Sequence, residues 1–116
     1  MSEYVLKRGE IGTLLEFTLK DADGAVNMNG WTVTVTARRG SNDPVIDNAA
    51  CTLAGSQPTT GKGKGSYTFT NVTANIPVGV YDLEFKGTAP GGIVHYFPKS
   101  RDERFASLLV INPLDA

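Results

Sequence analysis

The sequence predicts an all-β domain, an antiparallel β-sandwich of about seven or eight strands. Short runs alternate apolar and polar residues: Leu15, Phe17 and Leu19 alternate with polar side chains. This period of two is typical of strands that bury one face. Gly, Asn, Asp and Pro recur at short intervals between the runs and indicate turns. The chain has 116 residues, within the size range of one domain, and we expect a single domain over residues 1–116.

The alternating runs define the predicted strands, with boundaries good to about two to four residues. The strand that starts at Val45 is predicted to break near Asn48. Gly55–Gly65 is predicted to be an exposed, flexible loop, and residues 101–104 could form one short turn. We expect strands at Tyr4–Lys7, Thr13–Lys20, Trp31–Arg38, Val45–Leu53, Ser66–Val72, Val80–Thr88, Ile93–Phe97 and Ala106–Ile111.

One local pattern favours an immunoglobulin-like sandwich. Tyr81 follows Pro77 at the start of the most regular strand, and immunoglobulin-like domains place a Tyr at such a corner, where its hydroxyl bonds to upstream backbone. Trp31 is predicted to face inward as a large core residue from the opposite sheet. The residues predicted to lie between the two sheets are Phe17, Val33, Val35, Tyr81, Leu83 and Phe85.

Composition limits the classes of partner. The chain carries 11 Lys and Arg against 12 Asp and Glu, a formal net charge of -1. Nucleic-acid binders usually show a basic excess on one face, so we expect no nucleic-acid partner. No secretory signal and no apolar run of transmembrane length is visible, and the lone Cys51 excludes an internal disulfide. We therefore expect a soluble protein that is made in the cytoplasm and has no membrane partner.

The residues that could carry chemistry are few. His95 is the only histidine, and one His with one Cys cannot complete a four-ligand zinc site. A partly buried or rim histidine and a small core cysteine are the preferred interpretations. We expect no catalytic residues, no cofactor and no metal.

Four motifs resemble functional sites and are better explained by local structure. Asp21–Gly24 begins like a calcium loop but lacks its later ligands, so a tight turn is predicted. Gly61–Gly65 lacks the ending of a phosphate-binding loop, and a mobile loop tip is preferred; a weak anion or nucleic-acid contact stays open there. Asn71–Thr73 matches a glycosylation sequon, which has no meaning without secretion. Lys99–Arg104 is predicted to be a solvated connection.

Several motifs, taken in their order and spacing, carry a resemblance. They are Lys7-Arg8-Gly9-Glu10, Asp21-Ala22-Asp23-Gly24, Met28-Asn29-Gly30-Trp31-Thr32-Val33, Val45-Ile46-Asp47, Gly65-Ser66-Tyr67-Thr68-Phe69, Pro77-Val78-Gly79-Val80-Tyr81-Asp82-Leu83-Glu84-Phe85 and Tyr96-Phe97-Pro98. From about Lys7 to Ile111 the chain resembles the N-terminal immunoglobulin-like domain of phage baseplate upper proteins and similar small tail-associated virion proteins. The resemblance implies an anchoring domain of a virion, with no catalytic residues.

Three hypotheses follow. The first is a phage or prophage virion structural protein of the tail, baseplate or head–tail junction, which binds other virion proteins. The second is a carbohydrate- or host-surface-binding module, suggested by the aromatic residues Trp31, Tyr67 and Tyr96. The third is a small adhesin-like protein that shares only the fold. We also expect self-association, or binding to another virion component, through edge strands at Val45–Ile46 and Ser107–Ile111 together with the loop Gly55–Gly65.

Overall fold

The computed structural model describes residues 3–21, 24–39, 43–57, 59–97 and 106–113. The described part of the chain contains eleven strand segments and one 3-10 turn, Thr73–Asn75. The strands are β1 Glu3–Lys7, β2 Leu14–Thr18, β3 Lys20–Asp21, β4 Gly24–Ala25, β5 Thr32–Arg38, β6 Ile46–Ala50, β7 Thr52–Leu53, β8 Lys64–Thr68, β9 Gly79–Thr88, β10 Val94–Phe97 and β11 Ala106–Ile111.

The strands form two sheets that pack face to face. The larger sheet has the order β1-β11-β9-β5-β6, with β10 also paired to β9, and the smaller sheet has the order β2-β8-β7. Strands β3 and β4 form a separate short hairpin. The described chain is mostly strand and its two sheets pack against each other, so the predicted all-β sandwich is confirmed.

Three differences from the predicted strands have local causes. The predicted strand Val45–Leu53 breaks at Cys51, because the chain leaves β6 in the larger sheet there and enters β7 in the smaller one. Asn48 has a positive φ of 48°, and the register between β5 and β6 shifts beside it. Residues Lys20 and Asp21 do not extend β2; they pair with Ala25 and Gly24.

Strand β9 organises the larger sheet. Its first half pairs with β11 and its second half with β10, while β5 pairs along most of its other side. Phe97 pairs with Phe85 and Ala106 with Leu83, so both partner strands meet near Glu84. The turn predicted at residues 101–104 lies outside the described residues.

The core lies between the sheets, as the alternation predicts. The six predicted core residues are all at most 4% exposed. The rings of Phe17 on β2 and Phe85 on β9 are 4.6 Å apart and join the two sheets directly. Leu6, Met28 and Val110 are fully buried in the same cluster.

The predicted tyrosine corner is present. The Tyr81 hydroxyl donates to the Pro77 carbonyl at 2.6 Å and accepts from Arg39 Nη2 at 3.0 Å. The Arg39 guanidinium also donates to the Val78 carbonyl and lies 4.9 Å from the centre of the Tyr81 ring. A Cβ at Gly79 would lie 2.3 Å from Arg39 Nη2, and Gly79 has a positive φ, so Gly suits this corner.

Candidate docking surfaces

Local structure occupies or distorts part of two edges of the larger sheet. At the end of β1, the N–H of Lys7 donates to Glu10 Oε1 at 2.7 Å, and the Lys7 carbonyl accepts from the Glu10 N–H. Both backbone groups of Lys7 are therefore occupied by the turn. On β6, the Asn48 N–H turns back to Thr36 Oγ1 of β5, and the bulge distorts the ladder. Bulges and side chains of this kind protect an edge from pairing.

The edge of β2 in the smaller sheet is different. Strand β2 pairs with β8 on one side, and no other described strand pairs with its second side. Phe69 N–H donates to the Thr13 carbonyl and Leu19 N–H to the Gly63 carbonyl, in the same register as the β2–β8 ladder. Odd-numbered residues from Thr13 to Leu19 therefore direct their backbone toward β8. The alternation of an antiparallel ladder turns the backbone groups of Leu14, Glu16 and Thr18 to the open side.

An apolar row crosses the outer face of the larger sheet. Val5 pairs with Leu109, and Leu109 pairs with Val80. Val5 is 55% exposed and Val80 56%, while Leu109 is half-buried between them. Three adjacent apolar side chains on the outer face of a sheet form a surface that a partner can cover.

The structure corrects the predicted edges. Ser107–Ile111 is not an edge, because β11 lies between β1 and β9 and pairs with both. The parallel strand β1 provides the cover that this apolar run needs. The second predicted edge, at Val45–Ile46, does lead into the outermost strand β6, but the Ile46 side chain is 2% exposed and belongs to the core.

The predicted flexible loop is a packed structure. Gln57 is 2% exposed, and its Oε1 accepts from the N–H groups of Met28 and Gly63, each at 3.0 Å. Its Nε2 donates to the Lys64 carbonyl at 2.7 Å. Gly61 and Gly63 are also buried, and a Cβ at Gly63 would lie 2.4 Å from the Leu19 carbonyl oxygen. The predicted exposure holds for Lys62 and Lys64 but is wrong for Gly61 and Gly63, which are buried beside the Gln57 side chain and its backbone partners.

Two lysines remain exposed on this loop. Lys62 and Lys64 are solvent-accessible, and Lys64 lies opposite Thr18 of β2. Lys64 therefore places positive charge on the paired side of β2, one strand away from its open edge.

Trp31 lies just before β5, at one end of the sandwich. It is half-buried, and its ring stacks on the His95 ring with centroids 5.1 Å apart. A Cβ at Gly87 would lie 2.9 Å from the Trp31 ring, so the absence of a side chain there lets the indole lie on β9. The expectation of a core residue from the sheet opposite Tyr81 was wrong, because β5 and β9 are neighbours in one sheet.

The other aromatic candidates for carbohydrate binding do not join this site. Tyr67 is 5% exposed, and its hydroxyl donates to Thr73 Oγ1 at 2.8 Å. Tyr96 is 52% exposed, but it follows His95 on β10 and therefore projects from the opposite face of the sheet. The three aromatics do not form one platform.

His95 and Cys51 lie apart, in β10 and between β6 and β7. His95 is half-buried against Trp31, as the rim interpretation predicts. Cys51 is half-buried against the core, and burial raises the pKa of its thiol from 9.0 to about 12. A thiol with this pKa stays protonated at neutral pH and is a poor nucleophile.

The remaining motifs have structural surroundings. Asp21 pairs with Gly24, as a tight turn requires, although residues 22 and 23 lie outside the described part. Thr73 of the sequon accepts the Thr70 N–H at 2.8 Å and forms part of the 3-10 turn. The charged run 99–104 lies outside the described residues.

The described residues contain no group of three or more His, Cys, Asp or Glu side chains arranged to hold a metal ion. Within the same residues, no helix is long and apolar enough to cross a membrane.

Comparisons with protein-family models, with curated proteins and with solved structures find no match for this chain.

Proposed function

We propose that this chain is a non-enzymatic structural protein of a phage or prophage virion, a tail, baseplate or head–tail component that acts as a docking module and binds other virion proteins. The resemblance of its ordered motifs to small tail-associated proteins suggests the virion. The observation that carries the docking role is the open edge of β2, because free backbone donors and acceptors on a regular strand bind an added strand.

The remaining surface supports the same role. The apolar row Val5–Leu109–Val80 lies on the outer face of the larger sheet, away from β2, and offers a second contact area. A protein built into a repeating assembly uses more than one surface, since each copy contacts different neighbours. Catalysis has no comparable support, since the one thiol has a high pKa and His95 is stacked on Trp31.

Purified virions test this proposal. Particles of the parent phage, or those released by prophage induction, are purified on a density gradient and analysed by mass spectrometry. The chain should be present in stoichiometric amount, and gene disruption should give particles that lack it and are defective in assembly or attachment. Its absence from purified virions would refute the virion role.

A second candidate function is binding of a carbohydrate or host surface, and the Trp31–His95 stack favours it. Trp31 is half-buried, so part of its ring stays available to a ligand at the end of the sandwich. A glycan array and a Trp31 fluorescence titration test this function. Binding that is lost in Trp31→Ala but kept in Tyr96→Ala would support it, and absence of binding across the array would refute it.

A further inference from the structure

We propose that two copies of this chain join edge to edge through β2, as a two-fold symmetric dimer in which the smaller sheets become one continuous sheet. The inference gives the proposed docking role a specific surface and partner, a second copy of this chain. It rests on the described geometry of β2 and β8 and does not require the virion assignment.

The edge strands differ in how accessible their outward backbone groups are. In the described part of the chain, β2 is a regular five-residue strand with one open side, and no hydrogen bond occupies the outward backbone groups of Leu14, Glu16 or Thr18. The other edge strands of the two sheets are less suitable: β1 is occupied at Lys7 by Glu10, β6 is bulged at Asn48, β7 has two residues, and β10, which pairs only with β9, has four. An open regular edge is a template for pairing.

The register of a β2–β2 pair is limited by the residues whose backbone groups face outward. Antiparallel pairing of β2 with itself must place outward-directed residues opposite one another. Centring the pair on Glu16 would place two carboxylates directly opposite, which is destabilising. Centring it on Leu15 would place Leu14 opposite Glu16. Centring the pair on Phe17 places Glu16 of each copy opposite Thr18 of the other copy. Each of these two pairs can exchange both backbone hydrogen bonds.

The charges on the outer face are complementary in this register. Lys64 lies opposite Thr18 within one copy, so a row across the new sheet reads Ser66, Glu16, Thr18 of the second copy and Lys64 of the second copy. Glu16 and that Lys64 are two strands apart, about 10 Å between Cα atoms. Both are exposed on the outer face, and the small Thr18 separates them, so their side chains can meet. Two-fold symmetry repeats the ion pair.

The side chains on the inner face are compatible with this arrangement. Leu15 is 2% exposed and Phe17 4%, so both are already covered within one copy. Pairing therefore adds backbone hydrogen bonds and outer-face contacts without opening the core. This mode of strand addition relies on main-chain hydrogen bonds for affinity.

The experiment is sedimentation velocity or light scattering coupled to size exclusion across a concentration series. The wild-type chain should show a concentration-dependent monomer–dimer equilibrium. Thr18→Pro removes an outward N–H without touching the β8 ladder and should abolish the dimer. Thr18→Val keeps that N–H and is the matched control, which should dimerise like wild type. Circular dichroism checks that each variant is folded.

A charge-reversal series tests the register independently. Glu16→Lys and Lys64→Glu should each weaken the dimer on the order of tenfold, because attraction becomes repulsion in both symmetric pairs. The double variant should restore wild-type affinity. A wild-type chain that stays monomeric at high concentration, or a dimer unaffected by Thr18→Pro, would overturn the proposal. A double variant that is not restored would overturn the register. Virion composition plays no part in these outcomes, so they are separate from the test of the proposed function.

Discussion

At the scale of single residues, Tyr81 connects three parts of the chain through one hydroxyl group. The Tyr81 hydroxyl donates to the carbonyl of Pro77 and accepts from Arg39, and the Arg39 guanidinium lies over the Tyr81 ring. Arg39 follows β5, so the corner links the loop before β9 to the neighbouring strand. A buried hydroxyl with both a donor and an acceptor partner stabilises the start of β9.

Tyr81→Phe should lower the free energy of unfolding by about 1–2 kcal/mol, since it removes both hydrogen bonds of the hydroxyl and takes the donor from the Pro77 carbonyl, while Arg39 keeps its bond to the Val78 carbonyl. Urea denaturation measures the change. Tyr96→Phe is the control, because Tyr96 is 52% exposed, and its effect should be near zero. Equal effects of the two substitutions would show that the corner hydrogen bonds contribute nothing.

The free energy of unfolding should depend on pH through the Cys51 thiol. The folded thiol has a pKa of about 12, raised by burial from 9.0. Between these values the unfolded thiol ionises and the folded one does not, so its contribution to stability, present below pH 9, should fall as pH rises toward 12.

Reaction with a thiol reagent at pH 8 should be slow in the folded protein and fast in urea. Cys51→Ser should abolish labelling in both states and serves as the blank. Equally fast labelling of folded and unfolded protein would contradict the buried, high-pKa thiol.

At the scale of elements, the loop before β8 depends on Gln57. Its side chain binds the backbone of Met28, Gly63 and Lys64, so it joins β8 to the segment before β5. A buried amide with all three partners replaces the backbone pairing that a loop lacks.

Gln57→Leu should therefore destabilise the domain by on the order of 3 kcal/mol, because it leaves buried backbone groups without partners. The amides of Met28 and Gly63 should lose protection in hydrogen exchange. Thr60→Ala changes an exposed residue of the same loop and should change neither quantity. Unchanged exchange at Met28 in Gln57→Leu would show that the side chain does not hold this segment.

At the scale of the whole molecule, the Phe17–Phe85 contact joins the two sheets, and we expect them to unfold as one cooperative unit. Phe85→Ala should cost about 3–5 kcal/mol, since it leaves a cavity between the sheets. The single tryptophan, Trp31, reports on one end of the sandwich, and far-UV circular dichroism reports on all strands.

Both signals should shift to lower urea concentration by the same amount, as a two-state domain requires. Val80→Ala, on the outer face of the same strand, should change stability by less than about 0.5 kcal/mol. Separate transitions for the two signals would mean that the sheets unfold independently.

The sequence alone determined which side chains of β2, β5 and β9 face the core. Alternation with a period of two is a property of neighbouring residues, and it predicted the burial of Val33, Val35 and Leu83. The tyrosine corner was also local, because Pro77 and Tyr81 are separated by a few residues.

Only the tertiary structure decided which strands are neighbours and which edges stay open. The sequence of β11 predicted an edge strand with few charges, but β1 pairs with it in a ladder that joins residues 3–7 to 107–111. No local pattern in the sequence encodes pairing across that separation. Gln57 is similar: in a Gly-rich stretch it looks exposed, and it is buried because Met28 supplies a distant N–H. The open edge of β2 likewise depends on the position of β8, because an edge is defined by the strands that are absent beside it.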